Sequence, residues 1–279
     1  MPLRELQYPT EPYNKVNRLK DRADYSLETI HQIVNSCPML HVSFQPPDSP
    51  FPAVLPMIGQ MGSFSRPSAD VGDVLDLYLH GYVSSRMMNM ARNNPDASQQ
   101  QQQQQAQAQE GRGLPITICA SHLDGLVLAL TPNSHSYNYR SAVLFGHAMP
   151  VTDAAEKLYA MELITNGVAP QRWQNTRVPP NAAEMQSTSV LRVRIASGSA
   201  KIRSGGPHDE RGDMEDGALL DRVWTGVVPV YSVMGEPVAG EYNRVGQVPA
   251  YLEGWRREAN KDAEEHAREA AGGGSAAKS

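Results

Sequence analysis

The chain has 279 residues, of which 40% are hydrophobic and 20% charged, and its formal net charge is −5. This composition is typical of a protein that folds in water around a sizeable core. The sequence has no run of lysines and arginines and no 18-residue apolar stretch, which argues against binding to nucleic acid and against a membrane partner.

The cysteines and the N-terminal sequence give indications of the cellular compartment of the protein. Cys37 and Cys119 lie in apolar surroundings without a ligand or redox spacing, which indicates two buried thiols in a reducing environment. The first thirty residues contain no apolar core of signal-peptide length. We therefore expect a soluble, cytoplasmic protein.

Three segments depart from a globular pattern, and the first two are polar. Residues 1–20 are expected to form a flexible N-terminal segment. Residues Gln99 to Gln109 comprise nine glutamines and two alanines, which have too little apolar area to offset the entropy of ordering. Residues 94–113 are therefore predicted to be a Gln-rich inserted loop within one domain that spans residues 21–229.

The third segment is a C-terminal extension, residues 230–279, predicted to be partly helical or disordered. From Gly254 to Ala271 it is rich in alanine and charge, with like charges four residues apart and no apolar stripe. A marginal solvated helix is one interpretation, and a disordered tail is the favoured one.

The first predicted element is a helix. Ser26 precedes Glu28 and an apolar spacing from Leu27 to Val34, and Pro38 follows its end. Three runs of strand length come next, at Met39–Phe44, Ala53–Ile58 and Val74–His80.

A second helix is predicted to open at Ser84-Ser85 and to end near Asn93. Beyond the glutamine tract, two apolar runs are interpreted as a hairpin, Ile116–Ala120 and Leu126–Leu130, because Asp124-Gly125 between them is a turn signal.

The remaining elements are a long strand, a helix and a last strand. Tyr139–Val151 is the long strand, with a bulge or bend at Gly146. Asp153 is predicted to cap a helix that closes near Gly167, and Val190–Ala196 is the last strand. Hairpins dominate this order, so the expected fold is mainly β with peripheral helices, an antiparallel barrel of six or seven strands.

Familiar catalytic patterns do not occur in the sequence. It has no Gly-x-Ser-x-Gly, Walker loop, Gly-x-Gly-x-x-Gly or His-Glu-x-x-His. The eight histidines form no close pair, so no metal site is predicted. No catalytic residue can be named.

One polar cluster suits an anion. A strand ends at His80-Gly81, and Ser84, Ser85 and Arg86 stand where the next helix begins. Free backbone N–H groups, two hydroxyls and a guanidinium at that point suit a phosphate. The alternative is that a serine only caps the helix while Arg86 points to solvent.

Two further polar clusters follow. Residues 134–141 enter the long strand, with Arg140 and Ser141 placed to reach a ligand; the alternative is a polar loop at the barrel rim. Lys201 and Arg203 alternate in sequence and so share one face if extended. A solvated edge strand would account for them as well.

Taken in order, these clusters resemble a known family. The motifs are His80-Gly81, Ser84-Ser85-Arg86, Leu123-Asp124-Gly125, Asn138-Tyr139-Arg140-Ser141, Lys201 with Arg203, and Trp224-Thr225-Gly226. From about Asp21 to Pro229 the chain is similar to the flavin-nucleotide-binding branch of the pyridoxamine 5'-phosphate oxidase-like proteins.

That resemblance implies an FMN-binding split barrel, normally a homodimer with flavin at the subunit interface. It implies cofactor contacts at positions that match the family's pattern: His80, Ser84, Ser85, Arg86, Asn138, Arg140, Ser141, Lys201, Arg203 and Trp224. Haem and deazaflavin are the alternative cofactors.

The leading functional hypothesis is an FMN-dependent oxidoreductase that acts on a small molecule. Flavin itself carries the redox chemistry, so no acid–base pair has to be visible in the sequence. The alternative is a flavin- or haem-binding module without turnover, whose Gln-rich loop and acidic stretch at residues 208–222 bind partners.

Overall fold

The computed structural model describes residues 5–93 and 113–272. The glutamine tract, and all of the predicted inserted loop except Gly113, lie outside these residues. The chain divides into two compact units. The first comprises the chain up to Ser121 together with Ser141–Lys201, and the second comprises His122–Arg140 and the chain from Ile202 onward.

Eight strands and seven α-helices are present in the described residues, with short 3-10 turns at Lys20–Arg22, Pro132–Ser134 and Trp173–Asn175. The strands are β1 (Ala23–Asp24), β2 (Leu40–Phe44), β3 (Ala53–Gly62), β4 (Asp76–Tyr82), β5 (Leu114–Leu128), β6 (Ser136–Pro150), β7 (Thr188–Arg203) and β8 (Gly226–Pro229). The helices are α1 (Leu27–Ser36), α2 (Arg86–Asn93), α3 (Ala154–Val168), α4 (Ala182–Ser187), α5 (Arg211–Met214), α6 (Gly217–Leu220) and α7 (Ala250–Gly272).

The first unit is built on a closed antiparallel barrel. Its strand order is β7-β4-β3-β2-β5-β6, and β6 pairs with β7 to close the ring. Alternate side chains along each strand point into the barrel and fill its interior. On β2, Leu40, Val42 and Phe44 are buried while His41 and Ser43 face outward. The predicted mainly β barrel is confirmed.

Helix starts follow local sequence signals. The Ser26 hydroxyl accepts a hydrogen bond from the Thr29 N–H at 3.1 Å, which caps α1. The Asp153 carboxylate accepts from the Glu156 N–H at 2.7 Å and caps α3. Both helices begin where the sequence predicts, and α3 packs its Ala160 against one face of β4.

The predicted hairpin at Asp124-Gly125 is wrong, because β5 runs without a turn from Leu114 to Leu128. Gly125 pairs with Pro229 on β8. A Cβ on Gly125 would lie 2.8 Å from a Val227 methyl carbon, so the glycine permits a close strand approach. An Asp-Gly pair signals a turn only where its backbone is not already paired in a sheet.

The favoured interpretation of Gly254 to Ala271 as a disordered tail is also wrong, since α7 includes these residues. The buried residues of α7 are two alanines, Ala267 and Ala270. Side-chain pairs four residues apart, such as Arg268 with Glu264 at 2.7 Å, lie along its exposed surface. Alanine adds little to an apolar stripe, which is why the sequence pattern did not reveal the buried face.

The N-terminal segment makes several contacts within the first unit. The Tyr8 N–H donates to the Tyr25 carbonyl at 2.9 Å. The buried Asn14 amide donates to the Gly198 carbonyl at 3.0 Å. The flexibility expected of residues 1–20 stays a prediction. Within the described parts of the chain, no helix has the length and apolar character needed to cross a membrane.

Candidate functional site

The start of α2 lies directly after β4. The Ser85 N–H donates to the Tyr82 carbonyl at 2.9 Å and forms the turn between them. The Ser85 hydroxyl accepts from the Met88 N–H at 3.4 Å, so Ser85 has the capping role that sequence reasoning considered as an alternative. Met87 and Met88 are fully buried, and they fix the helix while Ser84 and Arg86 remain exposed.

Arg86 has an acidic partner that the sequence did not indicate. Its Nη2 lies 2.7 Å from the Asp48 Oδ1, and the two side chains are 52% and 79% exposed. Exposed pairs of this kind contribute about 0–1 kcal/mol at most. An anion with several acceptor oxygens can therefore displace Asp48 at little cost.

His80 lies on the outer face of β4, in register with Ile58 on β3 and Val190 on β7. It is exposed, yet partial desolvation by the surrounding protein lowers the pKa of its imidazole below the usual value. The ring is consequently neutral at pH 7 and can accept or ligate through a nitrogen.

The outer barrel face around His80 is apolar and open. Val54 and Ile58 on β3 are 57% and 43% exposed, and Tyr82 at the end of β4 is 67% exposed. His41 stands on the same face, in register with Pro56. We call these residues of β2, β3 and β4 the outer face. Adjacent exposed apolar groups of this kind mark interaction surfaces.

In the second unit, Arg140 is engaged with Asp124. Its Nε donates to Oδ2 at 3.0 Å and its Nη2 donates to Oδ1 at 2.8 Å. The Asp124 side chain is 4% exposed and that of Arg140 is 25% exposed. His266 on α7 places its Nε2 3.9 Å from the same carboxylate. Burial, and then the charge of Arg140, lower the pKa of His266.

Asn138 and Arg203 form a buried network with backbone carbonyls. An Arg203 Nη1 donates to the Asn138 side-chain oxygen, and its Nη2 donates to the Gly206 carbonyl at 3.0 Å. The Asn138 amide donates to the carbonyls of Gly205 at 3.1 Å and Ala270 at 3.0 Å. These two predicted site residues thus hold the end of α7 to the chain near Gly205.

The other predicted site residues are Ser141, Lys201 and Trp224. The Ser141 hydroxyl donates to the Lys201 carbonyl at 3.1 Å, which joins β6 to β7 in the first unit. Trp224, in the second unit, is 66% exposed and its ring covers Gly226. His80, Ser84, Ser85 and Arg86 are therefore close to one another along the chain. Hydrogen bonds join Ser141 to Lys201 and Asn138 to Arg203.

Sequence reasoning missed three residues that contact the predicted ones or one another. Asp48 lies in a proline-rich loop without a local signal, Asp124 was interpreted as a turn residue, and His266 lies in the stretch that was taken to be disordered. Their partners are 16 to 142 positions away in the chain, so these contacts can be identified only in the folded structure.

A separate apolar groove of about 380 Å³ opens on the first unit. Phe44, Pro52, Pro115 and Phe145 line it, with His147 at one side. The ring of Tyr13 meets that of Phe145 edge-on, with centroids 5.0 Å apart. No cluster of three histidine, cysteine or acidic side chains that could hold a metal ion occurs among residues 5–93 and 113–272.

Comparison with known proteins agrees with this fold. The family model described as pyridoxamine 5'-phosphate oxidase matches residues 100–202. The structure is similar to that of the flavocytochrome Anf3 from Azotobacter vinelandii, with 25% identity and a TM-score of 0.69 over 90% of this chain and 99% of that one. It is also similar to the FAD and haem binding protein from Mycobacterium smegmatis, with 24% identity and a TM-score of 0.64 over 84% and 97%. No curated protein matches the sequence.

Proposed function

Because this chain has the fold of the pyridoxamine 5'-phosphate oxidase-like split-barrel flavoproteins, we propose that it binds FMN and acts as an oxidoreductase on a small molecule. The observation that supports this most is the cluster of Ser84, Ser85 and Arg86 at the start of α2, next to the open outer face. One similar structure is named a flavocytochrome and the other an FAD and haem binding protein.

The donor set at α2 suits a phosphate. The first N–H groups of a helix have no intrahelical acceptor and carry partial positive charge. The Arg86 guanidinium adds a fork of donors whose present partner, Asp48, is mostly exposed. A phosphate dianion gains more from this set than the single Asp48 carboxylate does, since charge-assisted hydrogen bonds are the strong ones.

The remaining candidates have different parts in this proposal. Lys201, in the first unit, is a partly exposed cation for the rest of the cofactor. Arg140, in the second unit, is held in its pair with Asp124. Ser141 positions the Lys201 backbone. Asn138 and Arg203 are buried, so they act by shaping the chain near Gly205.

Bound flavin supplies hydride and electron transfer. The chain's own task is then to bind the phosphate, orient the ring and exclude water from one side of it. The neutral His80 on the outer face lies four residues before Ser84, and it can hold a hydrogen bond to a ring or a substrate without carrying charge.

Haem is the second candidate, and His80 favours it. Histidine is one of the axial ligands that proteins use for haem iron, and it ligates through a neutral ring nitrogen. One of the two similar structures is named an FAD and haem binding protein, and the other is named a flavocytochrome. In this alternative the chain is a binding module without turnover of its own, or a protein that binds both haem and flavin. Deazaflavin in place of FMN is the third cofactor to be tested.

The outer face also supports a homodimer. Val54, Ile58 and Tyr82 expose apolar area that a second copy would cover. Sedimentation equilibrium tests this: a dimer that Ile58→Asp dissociates supports the proposal, and a wild-type monomer at all concentrations contradicts it.

The absorbance spectrum of the purified protein separates the cofactors. A band at about 450 nm, with FMN released on denaturation, supports flavin. A Soret band at about 400 nm supports haem. A colourless protein that takes up neither group contradicts both. Oxidation of a reduced nicotinamide nucleotide by the flavin-loaded protein then distinguishes an enzyme from a module.

A further inference from the structure

Between β8 and α7 the chain exposes large apolar side chains. Residues 237–248, called here the projecting loop, include Val238 and Tyr242, which are 94% and 93% exposed, and Val245, which is 62% exposed. Single exposed apolar side chains are common on protein surfaces, but several on one short loop mark a contact site.

The projecting loop is held at its base. Asn260 on α7 exchanges two hydrogen bonds with the Met234 backbone, accepting from its N–H at 2.8 Å and donating to its carbonyl at 2.9 Å. On the same helix, Arg256 pairs with Glu236 at 2.8 Å and with Glu253 at 2.9 Å, and its side chain is only 12% exposed. The base is therefore fixed to α7.

The tip has its own turn. The Asn243 N–H donates to the Gly240 carbonyl at 3.0 Å, and the Asn243 amide donates to the Val245 carbonyl at 2.9 Å. Within the described residues, every hydrogen bond of residues 237–248 stays inside the loop. A loop with a fixed base and a formed tip loses less entropy on binding than a free chain, which favours a docking role.

The first unit offers a matching surface. The apolar groove has aromatic and proline walls, among them Phe44, Phe145 and Pro115, which suit tyrosine and valine side chains. The groove adjoins the outer face, because Ser43 on its edge pairs with Val54 in register.

We propose that two copies of this chain exchange projecting loops, so that Tyr242 and Val238 of one copy pack in the apolar groove of the other. Each copy carries one loop and one groove, and a twofold axis repeats the contact without leaving either unpaired. The proposal rests on the homodimer part of the proposed function and is independent of the cofactor.

The surface area that this contact would bury is close to that of a stable protein interface. A buried tyrosine contributes about 150–250 Å², so two Tyr242 side chains and the groove surface they cover amount to roughly 600–1,000 Å². A stable interface needs about 1,000 Å² or more. Val238 and the adjoining outer face supply the remainder.

Photo-crosslinking in the full chain tests the contact. A benzophenone amino acid replaces Tyr242, and unlabelled copies are mixed with heavy-isotope-labelled copies before irradiation. We expect crosslinks between an unlabelled loop and a labelled peptide that contains Phe44, Pro115 or Phe145. Crosslinks confined to one copy, or absent from the groove peptides, overturn the proposal.

Dimer affinity supplies the second measurement. We expect Tyr242→Ala to raise the dimer dissociation constant by about 30-fold or more, as central aromatic anchors do. Tyr137→Ala is the matched control, since Tyr137 is 57% exposed outside the loop and the groove, and it leaves the constant unchanged. A dimer that persists without groove crosslinks refutes the loop exchange alone, whereas a monomeric wild type refutes the homodimer as well.

Discussion

The guanidinium of Arg140 holds the carboxylate of Asp124 in a fork of two hydrogen bonds, at 3.0 and 2.8 Å. The carboxylate is almost completely buried. The backbone of Asp124 takes part as well, because its carbonyl accepts from the Val230 N–H at 3.1 Å. This pair joins β5 and β6 within the second unit and anchors the chain that follows β8.

Removing one member of this pair should be costly. Arg140→Ala leaves a buried carboxylate without its cation, so we expect the free energy of unfolding to fall by about 3 kcal/mol. Arg211→Ala is the control, because its pair with Glu215 is exposed, and it should change stability by less than about 1 kcal/mol. Chemical denaturation measures both. Equal losses in the two variants would show that the fork is unimportant for stability.

The same pair influences the pKa of His266. Burial first, and the Arg140 charge second, lower the pKa of this imidazole, while Asp124 and Glu269 oppose the shift. We therefore expect Arg140→Ala to raise the pKa of His266 and Asp124→Asn to lower it further. Titration of the ring protons by NMR reads both values, and shifts of the same sign in the two variants would contradict this electrostatic account.

His31 should make stability depend on pH. Its Nδ1–H donates to the Val71 carbonyl at 2.8 Å, so its Nε2 accepts from the Tyr8 hydroxyl at 2.6 Å. Burial lowers the pKa of His31, although the bond to Val71 opposes this. Below about pH 6.5 the unfolded chain binds a proton that the folded chain resists, so stability falls as the pH decreases toward the folded pKa.

The expected loss is at most about 1.4 kcal/mol per pH unit for this one group. Thermal unfolding measured between pH 7.5 and pH 5, with all other conditions kept constant, gives this loss of stability. We expect a shallower decline of Tm in His31→Gln than in the wild type, since other histidines contribute equally to both. Identical slopes would exclude His31 as the source.

Gly146 should tolerate no side chain. A Cβ there would lie 2.5 Å from the Arg194 carbonyl oxygen and 2.9 Å from a Val193 methyl carbon. Gly146→Ala forces β6 and β7 apart, and we expect the free energy of unfolding to fall by about 1–3 kcal/mol. Gly212→Ala, with open space around its Cβ position, is the matched control. A loss no larger than that of the control would mean that the strands adjust freely.

The parts of this structure that the sequence predicted depend on neighbouring residues. Ser26 and Asp153 mark helix starts because a cap acts on an N–H three residues away. The alternation of Leu75, Leu77 and Leu79 likewise predicts a buried face, and Leu77 and Leu79 of β4 are fully buried. The expected polar character of the opposite face is wrong for Tyr78, which is buried against Ala160 of α3.

The parts that were missed depend on distant partners. Asp124-Gly125 has the local sequence of a turn, but the pairing of Gly125 with Pro229 on β8 keeps it extended. Likewise, α7 is fixed by Ala270, whose carbonyl binds Asn138 132 positions earlier. Of the candidate site, the order of motifs could be seen in the sequence, whereas the engagement of Arg140 and Arg203 with the chain's own groups could not.

The central proposal is that Arg86 at the start of α2 binds the flavin phosphate, and an FMN titration tests it most directly. Quenching of FMN fluorescence is followed for the wild type, for Arg86→Ala and for Arg177→Ala, a control whose arginine also forms an exposed pair, with Glu184. We expect wild-type affinity in Arg177→Ala and at least about a tenfold loss in Arg86→Ala, since a hydrogen bond to a charged group contributes about 1.5–3 kcal/mol. Equal FMN affinity in all three proteins, or no binding by the wild type, would contradict the proposed site.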